Sequence, residues 1–328
     1  MAINCILIVV GVALVLYGAD RLTAGASAIA RRMNIPEIII GLTIVAAGTS
    51  APEFFVSFMS ALKGTPDMAV GNVVGSNIFN VLLIVGVTAM VTPIAVSRST
   101  VKKDMRWAIL ASVVFLVLCF DRLSPSLKGN EISRLDGLIL LVMFALFMRT
   151  TLKAARKGMN ATPDSDADAT VQKPESMVKN TAYFAAGLAM LIFGSNMFVD
   201  SASSVATTLG VSQGVIGLTI VAGGTSLPEL ATSVVAAKKG NSAIAIGNVI
   251  GSNVFNILMI LGITAWVTPL SLAGVTWVDY GTLLLSVLLL WWMSYTQLRV
   301  TRKEGVVLLL FFAAYLYWLI HQALAAAV

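Results

Sequence analysis

Apolar residues run along this chain in blocks close to the 17–25 residues that a helix needs to cross a bilayer, separated by short polar breaks. Ten such blocks lie near 3–19, 37–61, 67–92, 105–121, 135–150, 181–200, 213–236, 243–267, 277–297 and 305–325. One polar stretch, 152–179, is much longer than the other breaks and falls between blocks five and six. It divides the chain into two halves of five predicted helices, 1–151 and 180–328. With an odd number of crossings per half, the second half enters the bilayer from the opposite side. The expected fold is an all-α membrane protein of ten transmembrane helices, arranged as two inverted-topology five-helix repeats.

The polar positions inside the apolar blocks also repeat. Residues 41–93 recur at 217–269, displaced by 176 positions without a gap, and 32 of the 53 aligned positions are identical. The first copy reads GLTIVAAGTSAPEFF…GNVVGSNIFNVLL and the second GLTIVAGGTSLPELA…GNVIGSNVFNILM. A purely apolar requirement would keep hydrophobicity and let polar residues drift. Here Gly, Thr, Ser, Pro, Glu and Asn are what the copies share, so the repeat carries chemistry as well as packing.

Composition agrees with a lipid environment. Hydrophobic residues make up 58% of the chain and charged residues 12%, with a mean hydropathy of +0.89; soluble domains carry about one quarter charged residues. The net charge of +6 does not point to nucleic acid, because the basic residues sit between apolar blocks. With the N-terminus outside, 18 of the 22 Lys and Arg residues fall in segments on the cytoplasmic side, as the positive-inside rule requires. Both termini are then periplasmic and the 152–179 linker cytoplasmic, in an inner (plasma) membrane. The N-terminal MAINCILIVV lacks a basic n-region and is expected to remain as the first span. Cys5 and Cys119 both lie in apolar segments and read as small buried hydrophobes.

Glu53 and Glu229 are the only acidic residues expected near mid-span. A charge at the bilayer centre costs about 2.5–3.5 kcal/mol on insertion scales, so each needs an offsetting partner. Protonated glutamates serving as helix glue are one reading, but the polar surroundings of each Glu favour a binding site. Thr49 and Ser50 precede Glu53 by four and three residues and can share its helix face, as can Thr225 and Ser226 for Glu229. Pro52 and Pro228 lack an N–H, so each helix is expected to open, near 46–50 in the first copy, and leave carbonyls free for a cavity or ion. In the following helices Ser76 with Asn80, and Ser252 with Asn256, stand i,i+4. Gly71, Gly75, Gly247 and Gly251 permit close helix approach. Broken helices 2, 3, 7 and 8 would thus enclose a central all-oxygen site, with the single His321 far away. Such a set suits Ca²⁺ or Na⁺ over zinc or copper.

At these residues the chain resembles the cation/Ca²⁺ exchanger superfamily, which includes the sodium/calcium exchangers. GTSAPE with GNVVGSNIFN, and GTSLPE with GNVIGSNVFN, are similar to that family's two α-repeats. The resemblance implies a secondary active antiporter that exchanges Ca²⁺ for Na⁺ by alternating access, not an enzyme, with no cofactor, no obligatory protein partner and lipid as its surroundings. It implies metal ligands at Glu53, Glu229, Thr49, Ser50, Thr225, Ser226, Ser76, Ser252, Asn80 and Asn256, and carbonyl ligands at Ala46 and Ala222. It also implies a fixed core of helices two, three, seven and eight, across which the long first and sixth helices slide. Some members carry Asp where this chain has Asn80 or Asn256. Two formal charges, Glu53 and Glu229, then balance one Ca²⁺ or two Na⁺, which weighs against a third Na⁺.

Other readings stay open at this level. Carboxylates that hold cations also hold protons, so a proton-coupled cation exchanger is the alternative; a cation channel fits an inverted repeat less well, and an intramembrane hydrolase lacks a nucleophile–base pair. Asp164, Asp166, Asp168 and Glu175 fall at EF-hand-like positions one, three, five and twelve, but Ala169 replaces the turn glycine and Pro174 precedes the Glu. A flexible charged tether is the expectation for that loop.

Overall fold

The computed structural model describes residues 1–119, 131–159, 176–210, 222–273 and 275–326. The chain opens with α1 (Ala2–Arg32). A bent segment follows, made of α2 (Glu37–Ile40), a π-helical turn at Gly41–Val45, α3 (Ala46–Thr49) and α4 (Ala51–Leu62). Next come α5 (Pro66–Phe79), a π-helical turn at Asn80–Val85 and α6 (Gly86–Val91), then α7 (Met105–Cys119) and α8 (Arg134–Met159). The later part of the chain contains α9 (Met177–Thr208), α10 (Ala222–Thr225), α11 (Leu227–Lys238) and α12 (Ser242–Val254). A π-helical turn at Phe255–Leu261 leads to α13 (Gly262–Val267), followed by α14 (Trp277–Gln297) and α15 (Arg302–Ala326). Among the described residues seven helices are long and apolar enough to cross a membrane, or eight when Glu37–Thr49 and Ala51–Leu62 count as one span bent by 46°. Parts of the expected fourth and seventh crossings, 120–121 and 213–221, lie outside the described residues, as does the 164–175 loop.

The α12–α13 span is almost wholly enclosed, whereas α1, α9 and α15 are mostly exposed. Ile3, Val9, Phe193 and Leu310 are among the exposed large apolar residues. An apolar outer surface is what lipid requires, since tails provide the solvent that water provides elsewhere. Two short antiparallel ladders join sequence-distant segments: Ile94–Ala95 pairs with Arg299–Val300, and Glu131–Ile132 pairs with Leu270–Ser271. The strand that follows each repeat copy is thereby tied to the other half of the chain.

The first and sixth helices are longer than the sequence suggests. α1 has 31 residues and α9 has 32, about 46–48 Å at 1.5 Å per residue. Asp20 and Asp200, expected at helix ends, lie inside these helices. Their length exceeds the apolar run because polar residues in the continuation find partners: Asp20 meets Lys239, and the Arg21 guanidinium lies 4.6 Å from the Tyr17 ring and 5.3 Å from the Tyr183 ring. The two helices cross antiparallel on paired glycines. A Cβ at Gly11 would come 2.8 Å from the Gly194 oxygen, and one at Gly194 would come 2.8 Å from the Gly11 oxygen. Substitution at either would push the long helices apart.

Candidate cation site

Bending brings the two glutamates into the core. Pro52 sits at the second position of α4 and Pro228 at the second position of α11, where a missing N–H costs nothing. The helix therefore restarts at the proline and changes direction at Ser50. This break is tighter than the sequence suggests. The Ala46 carbonyl is not free, since it accepts the Ser50 N–H at 2.9 Å and the Thr49 hydroxyl at 3.4 Å. The expected opening at 46–50 is a corner rather than an unwound stretch, because a 46° bend can be absorbed without losing that bond. In the second copy Pro228 cannot bond the Gly224 carbonyl, and the Ser195 hydroxyl of α9 donates to it instead. Ala222 begins α10.

Glu53 and Glu229 are each 1% exposed. The serines were expected beside the Glu of their own helix, but the structure crosses them. Ser226 donates to Glu53 Oε1 at 3.0 Å, and Ser50 donates to Glu229 Oε1 at 3.1 Å. Thr225 also bonds the Glu53 carboxyl, and Thr49 and Ser252 contribute hydroxyls to Glu229, the latter at 3.5 Å. Each carboxyl group is thus one hydroxyl away from the corner of the opposite copy. Ser76 is buried one turn before Asn80 on the α5 span, and Asn80 and Asn256 are each 1% exposed. Both asparagines fall within π-helical turns, a distortion found often at functional sites.

Among the described residues, the buried oxygens without a hydrogen-bond partner include Oε2 of Glu53, Oε2 of Glu229, Oδ1 of Asn80 and Oδ1 of Asn256. They are equivalent in pairs under the 176-residue offset. A buried acceptor left unpaired costs about 1–3 kcal/mol, more when charged. Two such pairs at matching positions are what a desolvated cation would satisfy, and hard oxygen donors select Na⁺ or Ca²⁺.

Of the expected residues, Thr49, Ser50, Thr225, Ser226 and Ser252 therefore meet the two glutamates, whereas the Ala46 carbonyl is bonded within its own helix. Three further pairs were missed. Asn72 bonds Ser57 at 2.9 Å and the Glu53 carbonyl at 3.3 Å, and Asn248 bonds Ser233 at 3.2 Å and the Glu229 carbonyl at 3.4 Å. They fix the backbone under each glutamate. Asn77 and Asn253 bond the expected ligands Asn256 and Asn80. All six stand identical in both copies, and that was the available signal. Gly247 and Gly251 do permit the close approach expected, their Cβ positions falling 2.8 Å from the Ile38 oxygen and 2.7 Å from the Leu42 oxygen. Gly71 and Gly75 meet nothing within 4 Å among the described residues, and the segment equivalent to Ile38–Leu42 lies outside them.

Comparison with known proteins agrees with this geometry. A family model described as sodium/calcium exchanger protein matches residues 3–153 and 179–321. The chain belongs to the sodium/calcium exchanger protein family. It is 39% identical to the putative antiporter CaxA of Alkalimonas amylolytica, over 97% of this chain and 99% of that one. It is 37% identical to the inner membrane protein YrbG of Escherichia coli K12, over 97% and 98% of the two chains. A solved structure of the sodium-calcium exchanger NCX_Mj, soaked without Na⁺ and Ca²⁺, superposes with a TM-score of 0.82 at 30% identity, covering 97% of this chain and all of that one.

Proposed function

We propose that this protein is a secondary active antiporter that exchanges Ca²⁺ for Na⁺ across the inner membrane by alternating access. The carrying observation is the set of four unpartnered oxygens on Glu53, Glu229, Asn80 and Asn256, two carboxylates and two amides enclosed by both repeat copies. Thr49, Ser50, Ser76, Thr225, Ser226 and Ser252 complete the ligand set with hydroxyls, and the Ala222 carbonyl joins it, whereas the Ala46 carbonyl is already taken up by Ser50 and Thr49. Ten helices cross the membrane as two inverted halves, 1–151 and 180–328, joined by a cytoplasmic tether at 152–179, with both termini periplasmic. Relatives of this chain are named a sodium/calcium exchanger, in Methanosarcina acetivorans, and a putative antiporter. Both names support the assignment.

The two carboxylates balance one Ca²⁺ or two Na⁺, so exchange moves no net charge. The test is ⁴⁵Ca²⁺ uptake into proteoliposomes loaded with Na⁺, at clamped pH and with the membrane voltage set by K⁺ and valinomycin. Uptake should require internal Na⁺ and ignore voltage. Glu53→Gln and Glu229→Gln should each reduce it by at least about a hundredfold, as loss of a buried charged ligand worth about 3 kcal/mol or more would do. Uptake driven by a pH gradient and indifferent to Na⁺ would make the driving ion a proton. Voltage-dependent uptake with three Na⁺ counted per Ca²⁺ would overturn the two-charge balance.

A further inference from the structure

The four asparagines at the middle of the molecule form a closed set. Asn77 and Asn253 are 0% and 3% exposed. The Asn77 side-chain nitrogen donates to the Asn253 backbone carbonyl at 3.3 Å, and the Asn253 nitrogen donates to the Asn77 backbone carbonyl at 3.4 Å. Asn80 donates to Asn253 Oδ1 at 3.0 Å, and Asn256 donates to Asn77 Oδ1 at 3.0 Å.

Only one orientation of all four amides satisfies these bonds. A backbone carbonyl can accept but never donate, so Asn77 and Asn253 must turn their nitrogens toward the two carbonyls. Their Oδ1 atoms then face Asn256 and Asn80, which must in turn present nitrogen. The Oδ1 atoms of Asn80 and Asn256 are therefore directed away, and both are buried without a hydrogen-bond partner among the described residues. If Asn80 flipped, its oxygen would face the Asn253 oxygen and its NH₂ would face the cation. Both contacts would be repulsive.

We propose that Asn77 and Asn253 are positioning residues of the cation site: they make Asn80 and Asn256 present oxygen to the ion, and they hold both positions neutral. This rests on the antiporter reading and deepens it. A carboxylate at position 80 or 256 would have no N–H to give to the Oδ1 atom that faces it. The amide set thus excludes a third negative charge and confines the site's charge to Glu53 and Glu229. Asn77 and Asn253 touch no ion themselves and act through the two amides that do.

The test is ⁴⁵Ca²⁺ binding to purified protein, with Asn253→Ala, Asn80→Ala and the double variant, each checked for monodispersity. Asn253→Ala should weaken Ca²⁺ binding about tenfold, the usual cost of removing a group that orients a ligand. Asn80→Ala should do at least as much. Because Asn253 works through Asn80, the double variant should be no weaker than the poorer single variant, within twofold. Asn77→Ala with Asn256→Ala repeats the cycle should Asn253→Ala fail to fold. Affinity within twofold of wild type in Asn253→Ala, or a double variant as weak as the product of the two singles, would overturn the positioning role. A wild type that binds no Ca²⁺ would instead sink the antiporter reading, so the two failures are distinct.

Discussion

Around the glutamates the two repeat copies are near duplicates, but where the long helices meet the bent ones they differ. Ser50 on Glu229 and Ser226 on Glu53 are the same bond made twice, at 3.1 and 3.0 Å. At the other kind of contact, α1 packs along α11 while α9 makes little contact with α4. Lys239, just past α11, holds Asp20 of α1 at 2.7 Å and also donates to the Asp20 carbonyl at 2.8 Å and Thr23 at 3.4 Å. Asn241 donates to Ser27 at 2.6 Å. The equivalent positions in the opposite sense are Lys63 and Thr65 against Asn196, Val199 and Ser203. Asn196 has no charge to offer, Lys63 is exposed without an ion pair among the described residues, and Thr65 bonds Ser60 in its own turn.

The difference separates two demands on one molecule. A site that must accept an ion from either side needs the same ligands in both copies. Under the alternating-access reading proposed above, one end is closed while the other is not, so the contacts of the long helices would differ between the two ends in any single access state. The Lys239–Asp20 pair is partly exposed, with side chains 33% and 45% accessible. Such a pair is worth about 0–1 kcal/mol, enough to bias an equilibrium and too little to freeze it.

The largest effects test the symmetric part. Glu53→Gln and Glu229→Gln should be equally damaging in ⁴⁵Ca²⁺ flux, and a difference above about tenfold, or 1.4 kcal/mol, would break the equivalence of the copies. Next comes the gate. Ala236 is fully buried beside Ala19, Leu22 and Ala26, so Ala236→Cys in a chain without Cys5 and Cys119 reports separation of α1 from α11. Adding Lys239→Ala should speed thiol labelling of that cysteine by about fivefold, the equivalent of 1 kcal/mol, and the charge swap of Asp20→Lys with Lys239→Asp should restore slow labelling. Unchanged labelling would mean that the ion pair is only a surface decoration. A smaller change is expected from Asn196→Asp, which supplies the missing carboxylate opposite Lys63 and should slow Na⁺-driven uptake by about twofold.

The smallest effect concerns Asp104, whose counterpart in the second copy is Tyr280. Burial pushes the Asp104 carboxyl up to about 6, although Thr100 and Lys103 oppose the rise. A carboxyl whose pKa is raised by folding stabilises the fold below its ordinary pKa, and that contribution is lost as pH rises through the folded value. Asp104→Asn should therefore raise the Tm in detergent by about 2 °C at pH 8, with the gain vanishing toward pH 4. An equal gain at both pH values would remove the titration from the explanation.

Much of the site was legible before any fold was known, because the repeat works as an internal alignment. Glu53 with Glu229, Asn80 with Asn256, and the two Thr-Ser pairs stand out as polar identities within apolar blocks. Asn72, Asn77, Asn248 and Asn253 carried the same signal, but they bond other ligands or the backbone, and identity does not distinguish a ligand from the residue that orients it. The long helices were underestimated because hydropathy ends at Asp20, whereas the helix continues wherever a partner receives the charge.

The sequence by itself determined the apolar spans, the duplicated motif and the oxygen-rich residues available to a cation, since these depend on local composition and spacing along one chain. Only the tertiary structure decided that each glutamate is held by the other copy's serine, that four asparagine side chains bond one another across the two copies, and that Lys239 pairs with Asp20 of the first helix. Those outcomes depend on how the two copies pack in three dimensions, and a repeat read along a line contains no information about which of its polar atoms will face each other.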